Sequence, residues 1–272
     1  MEPPVAMTIA GSDNSAGAGI QADLKTFTHF GVYGQTVVTC VVAEVPGKVT
    51  SIQAIDESVI EDQCLLSLNN FPVASIKTGM LLSAGIIDRI CSILENIHPQ
   101  RRPALIVDPV MVASSGDSLL QTDAIDLYVS RLIPLATLVT PNLDETAVLI
   151  GKTIRSLDDM TDAAHLLFAR FGVPFLMKGG HLASGSDLAS SDAIDLLVDA
   201  KGVHSFSAPF NRGLQTHGTG CTYSAAIAAN LALGLNLRSA TQVSKEYITQ
   251  AIAKSYHWEM EGRRTYALRH LL

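Results

Sequence analysis

The sequence has little of what marks nucleic-acid-binding or membrane proteins. Of its 272 residues only 17% are charged and 6% are aromatic, with a single tryptophan. No run of lysine and arginine is longer than two residues, and the formal net charge is -7 at pH 7. A chain of this charge lacks the basic surface that attracts nucleic acids and anionic membranes. We therefore expect neither of them as a partner.

The sequence contains no long apolar run, and we expect no secretory leader. The longest apolar stretch, residues 225–237, is interrupted by asparagine and glycine, whereas a membrane-spanning helix needs roughly 18–20 apolar residues. Residues 1–4 carry no basic side chain of the kind that opens a secretory signal. The four cysteines lie far apart with no C-x-x-C pair, which argues against zinc and against a disulfide framework. The expected compartment is a reducing cytoplasm.

The chain does contain enough apolar residues for one large core. With 47% apolar residues, we expect a single domain over residues 1–272. Strand-like and helix-like segments alternate along it. The predicted strands are 7–10, 35–43, 49–54, 74–78, 104–107, 138–140, 175–178, 193–198 and 203–207. The predicted helices are 18–30, 57–70, 84–97, 123–131, 143–150, 158–171, 219–233 and 239–261, with a mobile surface loop at 184–191.

This alternation predicts an α/β fold, in which a mostly parallel sheet carries helices on both faces. In such a sheet the ligand binds beyond the carboxyl ends of the strands. Polar motifs follow several of the predicted strands, which should bring them together at one edge. These motifs are Gly11-Ser12-Asp13, Lys77-Thr78-Gly79-Met80, Asp108-Pro109, Thr140-Pro141-Asn142 and Lys178-Gly179-Gly180-His181.

A glycine-rich loop enters the helix at 219–233 and is the most informative feature of the sequence. The loop reads Gln215-Thr216-His217-Gly218-Thr219-Gly220-Cys221. A helix start directs N–H groups and the positive end of the helix dipole to one place, which suits a phosphate or a developing oxyanion. The same dipole would stabilise a thiolate at Cys221. A buried, inert cysteine on a helix that packs through small residues is the alternative.

Two other phosphate-binding motifs are excluded by single positions. A cysteine phosphatase needs an arginine six residues after its cysteine, and that position is Ile227. A Walker A loop needs G-x-x-x-x-G-K-[ST], and Thr146 stands where the first glycine should precede Gly151-Lys152-Thr153. We therefore interpret Gly151 as the residue that ends the preceding helix.

The motifs together resemble the ribokinase-like superfamily, and within it the hydroxymethylpyrimidine/phosphomethylpyrimidine kinase branch, which also contains vitamin B6 kinases. The resemblance runs from residue 8 to about residue 235. It implies a three-layer α/β/α sandwich with a mostly parallel central sheet. The segments that carry it are Thr8–Asp13, Ala18–Thr26, Lys77–Met80, Asp108–Met111, Thr140–Glu145, Met177–His181 and Thr216–Thr222.

For catalysis, the resemblance implies a phosphoryl transfer centred on the glycine-rich loop. Cys221 would accept the proton of the substrate hydroxyl, with its pKa lowered by the helix start. Gly218, Thr219 and Gly220 would surround the transferred phosphate with N–H groups. An inert Cys221 in an inactive chain is the alternative.

The resemblance also implies ATP and Mg²⁺ as cofactors. Asp108 and Glu145 would be the carboxylates linked to the metal ion, which needs few protein ligands. Lys178 would meet the ATP phosphates, with Gly179 and Gly180 leaving room for close backbone approach. From spacing alone, Glu145 could equally complement a helix dipole and Lys178 could be a surface lysine.

Substrate recognition would fall to Gly11, Asp23, Glu44 and Met80. Glu44 follows an apolar strand, where an unpaired carboxylate is costly, and it could accept hydrogen bonds from an aminopyrimidine. Asp23 could hold the hydroxymethyl group or could be a solvated helix residue, and Met80 could be core. His217 and His181 are expected to order their loops rather than to titrate in catalysis.

The expected activity is phosphorylation of 4-amino-5-hydroxymethyl-2-methylpyrimidine and then of its monophosphate, for thiamine biosynthesis. A pyridoxal or pyridoxine kinase is the alternative, and a non-catalytic vitamin or nucleotide sensor is a third. Small molecules are the expected partners, and a homodimer is expected because dimers are common in the family. The chain departs from the family pattern at Ala16, where a glycine is usual, and in the tail around Arg263-Arg264-Thr265-Tyr266. If position 16 needs a positive φ, alanine should stiffen or shift the loop.

Overall fold

The computed structural model describes residues 2–111, 122–180, 182, 192–211, 214 and 217–272. The predicted loop at 184–191, His181 and residues 215–216 lie outside these residues. Within the described residues no helix is both long enough and apolar enough to cross a membrane.

A single nine-stranded sheet forms the middle of the molecule, in the order β3-β2-β1-β4-β5-β6-β7-β8-β9. Its central pairings, from β2 through β1, β4, β5 and β6 to β7, are parallel. The pairings β2–β3, β7–β8 and β8–β9 are antiparallel, so both edges of the sheet end in antiparallel strands. The strands are β1 (Val5–Asp13), β2 (Tyr33–Val45), β3 (Lys48–Ala54), β4 (Val73–Thr78), β5 (Ala104–Val107), β6 (Leu138–Val139), β7 (Phe175–Lys178), β8 (Asp192–Asp199) and β9 (Gly202–Pro209).

Helices cover both faces of the sheet and divide the core into two clusters. Ala6 and Met7, neighbours on β1, belong to different clusters because successive strand side chains point to opposite faces. The described helices are α1 (Gly19–His29), α2 (Glu57–Asn70), α3 (Ala84–Glu95), α4 (Thr122–Leu127), α5 (Leu143–Ile150), α6 (Leu157–Phe171), α7 (Thr219–Ala232) and α8 (Leu237–Ala253). Helices α1, α7 and α8 contribute to one cluster, and α2 to α6 contribute to the other. The predicted three-layer α/β/α sandwich is confirmed.

Local signals place several helix ends as predicted. Helix α5 begins with a capping box between Asn142 and Glu145 and ends at Gly151, which has a left-handed φ of 73°. Helix α6 begins at the Ser156 cap and ends at Gly172, with φ 68°. The interpretation of Gly151 as a helix stop, rather than part of a phosphate loop, is therefore confirmed.

The prediction for the last helix was wrong at its C-terminal end. We expected a helix over 239–261, but α8 ends at Ala253 and the chain continues into a hairpin of β10 (Tyr256–Met260) and β11 (Arg263–Ala267). The hairpin is joined to the rest of the fold by a parallel bridge between Ala267 and His217. A helical period in the sequence cannot reveal this pairing, since its partner residues become neighbours only when the chain turns back.

Candidate active site

The carboxyl ends of the parallel strands and the start of α7 meet at one edge of the sheet. Gly218 caps α7 with a φ of 79°, and a Cβ atom built there would lie 1.8 Å from the carbonyl oxygen of Gly17. Glycine is therefore required at 218, both for the backbone conformation and for the close approach. A Cβ atom at Gly220 would lie 3.2 Å from Lys178 Nζ, so Gly220 keeps the space beside that lysine open.

Lys178 and Asp108 form an ion pair at this edge. Lys178 Nζ lies 2.8 Å from Asp108 Oδ1, and the Ser224 hydroxyl of α7 donates to Asp108 Oδ2 at 3.0 Å. Burial alone would raise the pKa of Asp108, but Lys178 and Lys77 outweigh it and lower the pKa. Asp108 is therefore an ionised carboxylate. The Lys178 side chain is 15% exposed to solvent.

Glu145 lies near this pair but is held by backbone groups. The Asn142 N–H donates to Glu145 Oε2 at 2.8 Å, and the Met111 N–H donates to Oε1 at 3.3 Å. Burial and the neighbouring Asp108 raise the pKa of Glu145, while Lys178 opposes this shift. Glu145 thus caps α5, the alternative role that spacing suggested, and also belongs to the electrostatic cluster of Asp108 and Lys178. The two roles are compatible because each carboxylate oxygen keeps a second lone pair.

A strained backbone residue separates Asp108 from the Met111 contact. Val110 has a φ of 45°, which a β-branched residue rarely adopts. Such strain costs about 1–3 kcal/mol and is found where surrounding contacts impose it, often at functional sites.

A second ion pair lies beneath the first turn of α7. Lys77 Nζ donates to both oxygens of Asp23, at 3.0 and 2.9 Å, and the Thr8 hydroxyl donates to the same carboxylate at 2.6 Å. Neither charged side chain is exposed to solvent. The alternative of a solvated helix residue is wrong, because the Asp23 carboxylate is fully enclosed, and its contact with a substrate hydroxymethyl group stays a prediction. The signal that was missed is Lys77 itself, a charge within an otherwise apolar strand, which needs a buried partner.

Cys221 lies in the first turn of α7, as predicted, but its acidity differs from the expectation. Burial raises the pKa of the thiol to about 11, although Lys77 and the Gly19 N–H both act to lower it. The aspartates at 23 and 108 add to the increase. The prediction of a lowered pKa was therefore wrong, because desolvation outweighs the helix start and a single lysine.

The two glycines after Lys178 differ in role. A Cβ atom at Gly179 would lie 2.0 Å from the carbonyl oxygen of Ile194, and the Gly179 N–H donates to Asp195 Oδ1 at 2.9 Å. Gly179 therefore allows β8 to approach, and its N–H is engaged by Asp195, while its expected role beside the ATP phosphates stays a prediction. A Cβ atom at Gly180 would meet no atom of the described residues within 4 Å, so of these two glycines only Gly180 faces open space among them.

Sequence reasoning also missed the buried pair that supports this turn. Lys245 of α8 lies 2.7 Å from Asp195 Oδ2, so one carboxylate links α8 to the residue next to Lys178. Asp195 is a charge in an apolar strand, and this was the available signal.

Of the predicted ring-binding residues, Gly11 and Glu44 lie on the adjacent strands β1 and β2, and Met80 follows the end of β4. Gly11 packs against β2, since a Cβ atom there would lie 2.8 Å from Cys40 Sγ. The carbonyl oxygen of Met80 accepts a hydrogen bond from the Thr39 hydroxyl of β2 at 2.7 Å, and Met80 is half-buried. Glu44, near the end of β2, is 15% exposed and thus accessible to a ligand.

Glu44 is not unpaired, because His217 lies between it and Asp13. His217 Nε2 is 3.3 Å from Asp13 Oδ2 and 3.7 Å from Glu44 Oε2. Asp13 also accepts hydrogen bonds from the N–H groups of Ser15, Gly17 and Ala18. The contact with His217, together with the hydrogen bonds from Ser15 and Ala18, holds the pKa of Asp13 well below its usual range although burial opposes it. Asp13, His217 and Glu44 thus form a charge cluster beside the predicted ring-binding residues.

The loop that carries these donors contains the departure from the family pattern. Ala16 has a φ of 57°, so the position does need the conformation that glycine adopts freely. The Lys25 ammonium donates to the Ala16 carbonyl oxygen at 2.7 Å, which helps to hold the strained turn.

The fold and this loop-to-helix edge are those of the ribokinase-like superfamily. A family model described as phosphomethylpyrimidine kinase matches residues 13–265. The chain therefore belongs to the phosphomethylpyrimidine kinase family.

Curated relatives agree with this assignment. The chain is 42% identical over 246 residues to the thiamine biosynthesis bifunctional protein ThiED of Geobacter sulfurreducens, covering 90% of this chain and 48% of that protein. The chain thus spans about half the length of that relative. It is also 40% identical over 255 residues to the hydroxymethylpyrimidine/phosphomethylpyrimidine kinase of Streptomyces coelicolor, covering 93% of this chain and 90% of the relative.

Solved structures include both branches of the expected family. The phosphomethylpyrimidine kinase of Clostridium difficile 630 is 36% identical, with a TM-score of 0.77 and coverage of 92% of this chain and 99% of that chain. The Staphylococcus aureus pyridoxal kinase in complex with AMP-PCP and pyridoxal is 31% identical. Its TM-score is 0.85, over 100% of this chain and 94% of that chain. Shape alone therefore does not distinguish the two substrates.

Proposed function

We propose that this protein transfers the γ-phosphoryl group of ATP to 4-amino-5-hydroxymethyl-2-methylpyrimidine and then to the resulting monophosphate. The observation that carries the proposal is the position of Cys221 in the first turn of α7, where Lys77 and Asp108 act electrostatically on its thiol. The names of the relatives from Streptomyces coelicolor and Geobacter sulfurreducens support the pyrimidine substrate and its use in thiamine biosynthesis.

The reaction forms a bond between the substrate hydroxyl oxygen and the γ-phosphorus and breaks the bond to the β,γ-bridging oxygen, which leaves with ADP. The N–H groups at Gly218, Thr219 and Gly220 compensate the phosphate charge at the helix start. Cys221, as a thiolate, accepts the hydroxyl proton. Lys178 turns from Asp108 towards the phosphates, which its partial exposure permits.

The carboxylates at the same edge suit Mg²⁺. Asp108 and Glu145 are hard oxygen ligands that are almost wholly buried, and Mg²⁺ is bound through one or two carboxylates with several waters retained. When bound, the ion would neutralise charge on the β- and γ-phosphates. Lys178 contacts Asp108 Oδ1, so its turn towards the phosphates would leave the Asp108 carboxylate available for this role.

The pyrimidine ring would lie between Gly11, Met80 and Glu44. Glu44 accepts hydrogen bonds from the amino group, Met80 contacts the ring, and Gly11 presents its backbone there, since Cys40 fills the space beside its Cα. Asp23 acts indirectly, by holding Lys77 beneath the thiol.

Pyridoxal is the second candidate substrate, favoured by the structural similarity to the Staphylococcus aureus kinase. ADP release should be measured with ATP and Mg²⁺ in the presence of the hydroxymethylpyrimidine, pyridoxal or no acceptor. Turnover with the pyrimidine, with diphosphate among the products, supports the proposal. Preference for pyridoxal assigns the protein to vitamin B6 salvage. Ligand binding without any turnover favours the sensor.

A homodimer is also proposed, through the β2–β3 edge. All seven residues of β3 are exposed, and Val41, Val45, Val49 and Ile52 expose apolar side chains there. Exposed apolar edge strands tend to be covered by another chain. Light scattering tests this proposal, and a monomeric mass at micromolar concentration would exclude it.

A further inference from the structure

His217 occupies a position that joins the two halves of the site. Its backbone immediately precedes Gly218, the cap of α7, while its imidazole lies between the carboxylates of Asp13 and Glu44. The ring also packs on the loop after β1, since a Cβ atom at Gly17 would lie 3.1 Å from His217 Cδ2. His217 therefore belongs to the glycine-rich loop before α7 and also contacts Glu44, the carboxylate proposed to bind the substrate ring.

The contact between His217 and the carboxylates depends on charge rather than on a directed hydrogen bond. Nε2 is buried and makes no well-aligned hydrogen bond to any described residue, although two carboxylates lie within 4 Å. The attraction is therefore largely that of a cation for two anions, and it disappears when the imidazole is neutral.

The charged groups around the ring favour its protonation. Among the described residues, Asp13 at the end of β1 and Glu44 on β2 are the charged side chains that act on His217. The loop before α1 reaches the ring through Gly17, and β11 reaches the backbone through Ala267. Burial lowers the pKa of His217, but the two carboxylates outweigh it and raise the pKa.

The cation at His217 stabilises the ionised form of Glu44. Burial and the Asp13 carboxylate both raise the pKa of Glu44, and only His217 opposes them. Without the imidazolium, Glu44 would face a permanently ionised neighbour and would tend to take up a proton. A neutral carboxyl offers one donor and one acceptor, whereas a carboxylate accepts two N–H bonds at once.

We propose that His217, as a cation between Asp13 and Glu44, is a positioning residue that keeps Glu44 ionised and so makes the site selective for heterocycles with an amino group beside a ring nitrogen. The inference rests on the proposed function and adds the residue that sets its specificity. A ring with a protonated nitrogen beside its amino group presents two N–H donors to the carboxylate, in the manner of an arginine fork. A ring without the amino group gains less from the ionised form.

The test compares two substrates that differ only in the amino group. kcat/KM is measured for 4-amino-5-hydroxymethyl-2-methylpyrimidine and for its analogue without the 4-amino group, in the wild type and in His217→Gln. Glutamine keeps a similar size but carries no charge. The variant should lower kcat/KM for the amino substrate by about 10–100-fold, the range for a hydrogen bond to a charged group. The loss for the analogue should stay below about threefold, with the selective loss mainly in KM.

The pH profile separates this role from a merely structural one. As pH falls, the ratio of the two kcat/KM values should decline at a higher pH in His217→Gln than in the wild type, because Glu44 without the neighbouring cation takes up a proton more readily. The ionisations of the substrates themselves are the same in both proteins. If His217 only ordered the glycine-rich loop before α7, its replacement would lower kcat for both substrates alike.

His165→Gln, at an exposed position on α6, is the matched control and should change neither ratio nor profile. Equal losses for both substrates in His217→Gln, or an unchanged ratio, would overturn the inference. Calorimetric binding of both pyrimidines without ATP gives a second readout. If the wild type binds the amino substrate but does not phosphorylate it, the proposed function fails, while the binding preference still decides the role of His217.

Discussion

Two lysine–aspartate pairs lie under the start of α7 and differ mainly in their access to water. Lys77 and Asp23 are 2.9 Å apart and both side chains are 0% exposed. Lys178 and Asp108 are 2.8 Å apart, and their side chains are 15% and 3% exposed. The chemistry and the distance are nearly the same, so burial is the variable that separates the pairs.

The difference shows how the same two residue types serve structure in one place and chemistry in another. The enclosed pair cannot exchange its partner, because either charge left alone would be uncompensated in a dry interior. The open pair can, because water and an incoming phosphate can replace Asp108 at the ammonium. The thiol of Cys221 is influenced by both pairs, since Lys77 lowers its pKa and the aspartates raise it.

The largest effect on activity is expected for Cys221→Ala, which removes the thiol on which both pairs act. If the thiolate is the base, kcat should fall by about 10²–10⁴-fold with little change in substrate affinity. Because the pKa of the thiol is about 11, the kcat of the wild type should rise with pH above neutrality. The alanine variant should lack this rise. Steady-state kinetics across pH measure both, and near-normal turnover in the variant would rule out the thiolate as base.

The largest effect on stability is expected for Lys77→Met, which leaves Asp23 buried without its partner. The free energy of unfolding should fall by about 3–5 kcal/mol. The double variant Lys77→Met/Asp23→Leu should recover most of this loss, because no unpaired charge remains. Denaturant unfolding measures both variants. A loss below about 1 kcal/mol in the single variant would contradict the assignment of this pair to stability.

Lys178→Met, in the partly exposed Lys178–Asp108 pair, should have a large effect on activity and a smaller effect on stability. kcat/KM for ATP should fall by about 10²–10³-fold, as for loss of a group that stabilises transition-state charge. The free energy of unfolding should fall by less than in Lys77→Met, since Ser224 and Thr140 still donate to Asp108. Lys152→Met, in an exposed pair with Asp159, is the control and should change neither quantity by much. Equal stability losses at positions 77 and 178 would remove the distinction between the pairs.

The smallest effect is expected for Ala16→Gly, which tests backbone strain in the loop between β1 and α1, away from both ion pairs. Relief of the left-handed conformation should exceed the added chain entropy of glycine, for a net gain of about 0.5–1 kcal/mol in unfolding free energy. Thermal unfolding measures the change. Ala18→Gly, where φ is -132°, is the matched control and should destabilise. A loss of stability in Ala16→Gly would show that the added chain entropy of glycine outweighs the relief of backbone strain at this turn.

Much of the fold could be predicted because it depends on local patterns. The strand Ala104–Val107 and the helices Glu57–Asn70 and Leu143–Ile150 have the predicted bounds, since apolar runs and caps are encoded within a few residues. The β10–β11 hairpin could not be predicted, because the sequence pattern after Ala253 still indicated a helix and the pairing of the two strands depends on tertiary contacts.

The sequence by itself determined the element types, their order and the edge where the polar motifs meet, because these follow from short-range periodicity and from the rules of parallel sheets. Tertiary structure alone decided which charges pair. Asp23 lies 54 positions from Lys77, and Asp108 lies 70 positions from Lys178. The same packing enclosed the Asp23 carboxylate, engaged the Gly179 N–H and raised the pKa of Cys221, since desolvation depends on every side chain folded around a group and not on its neighbours in sequence.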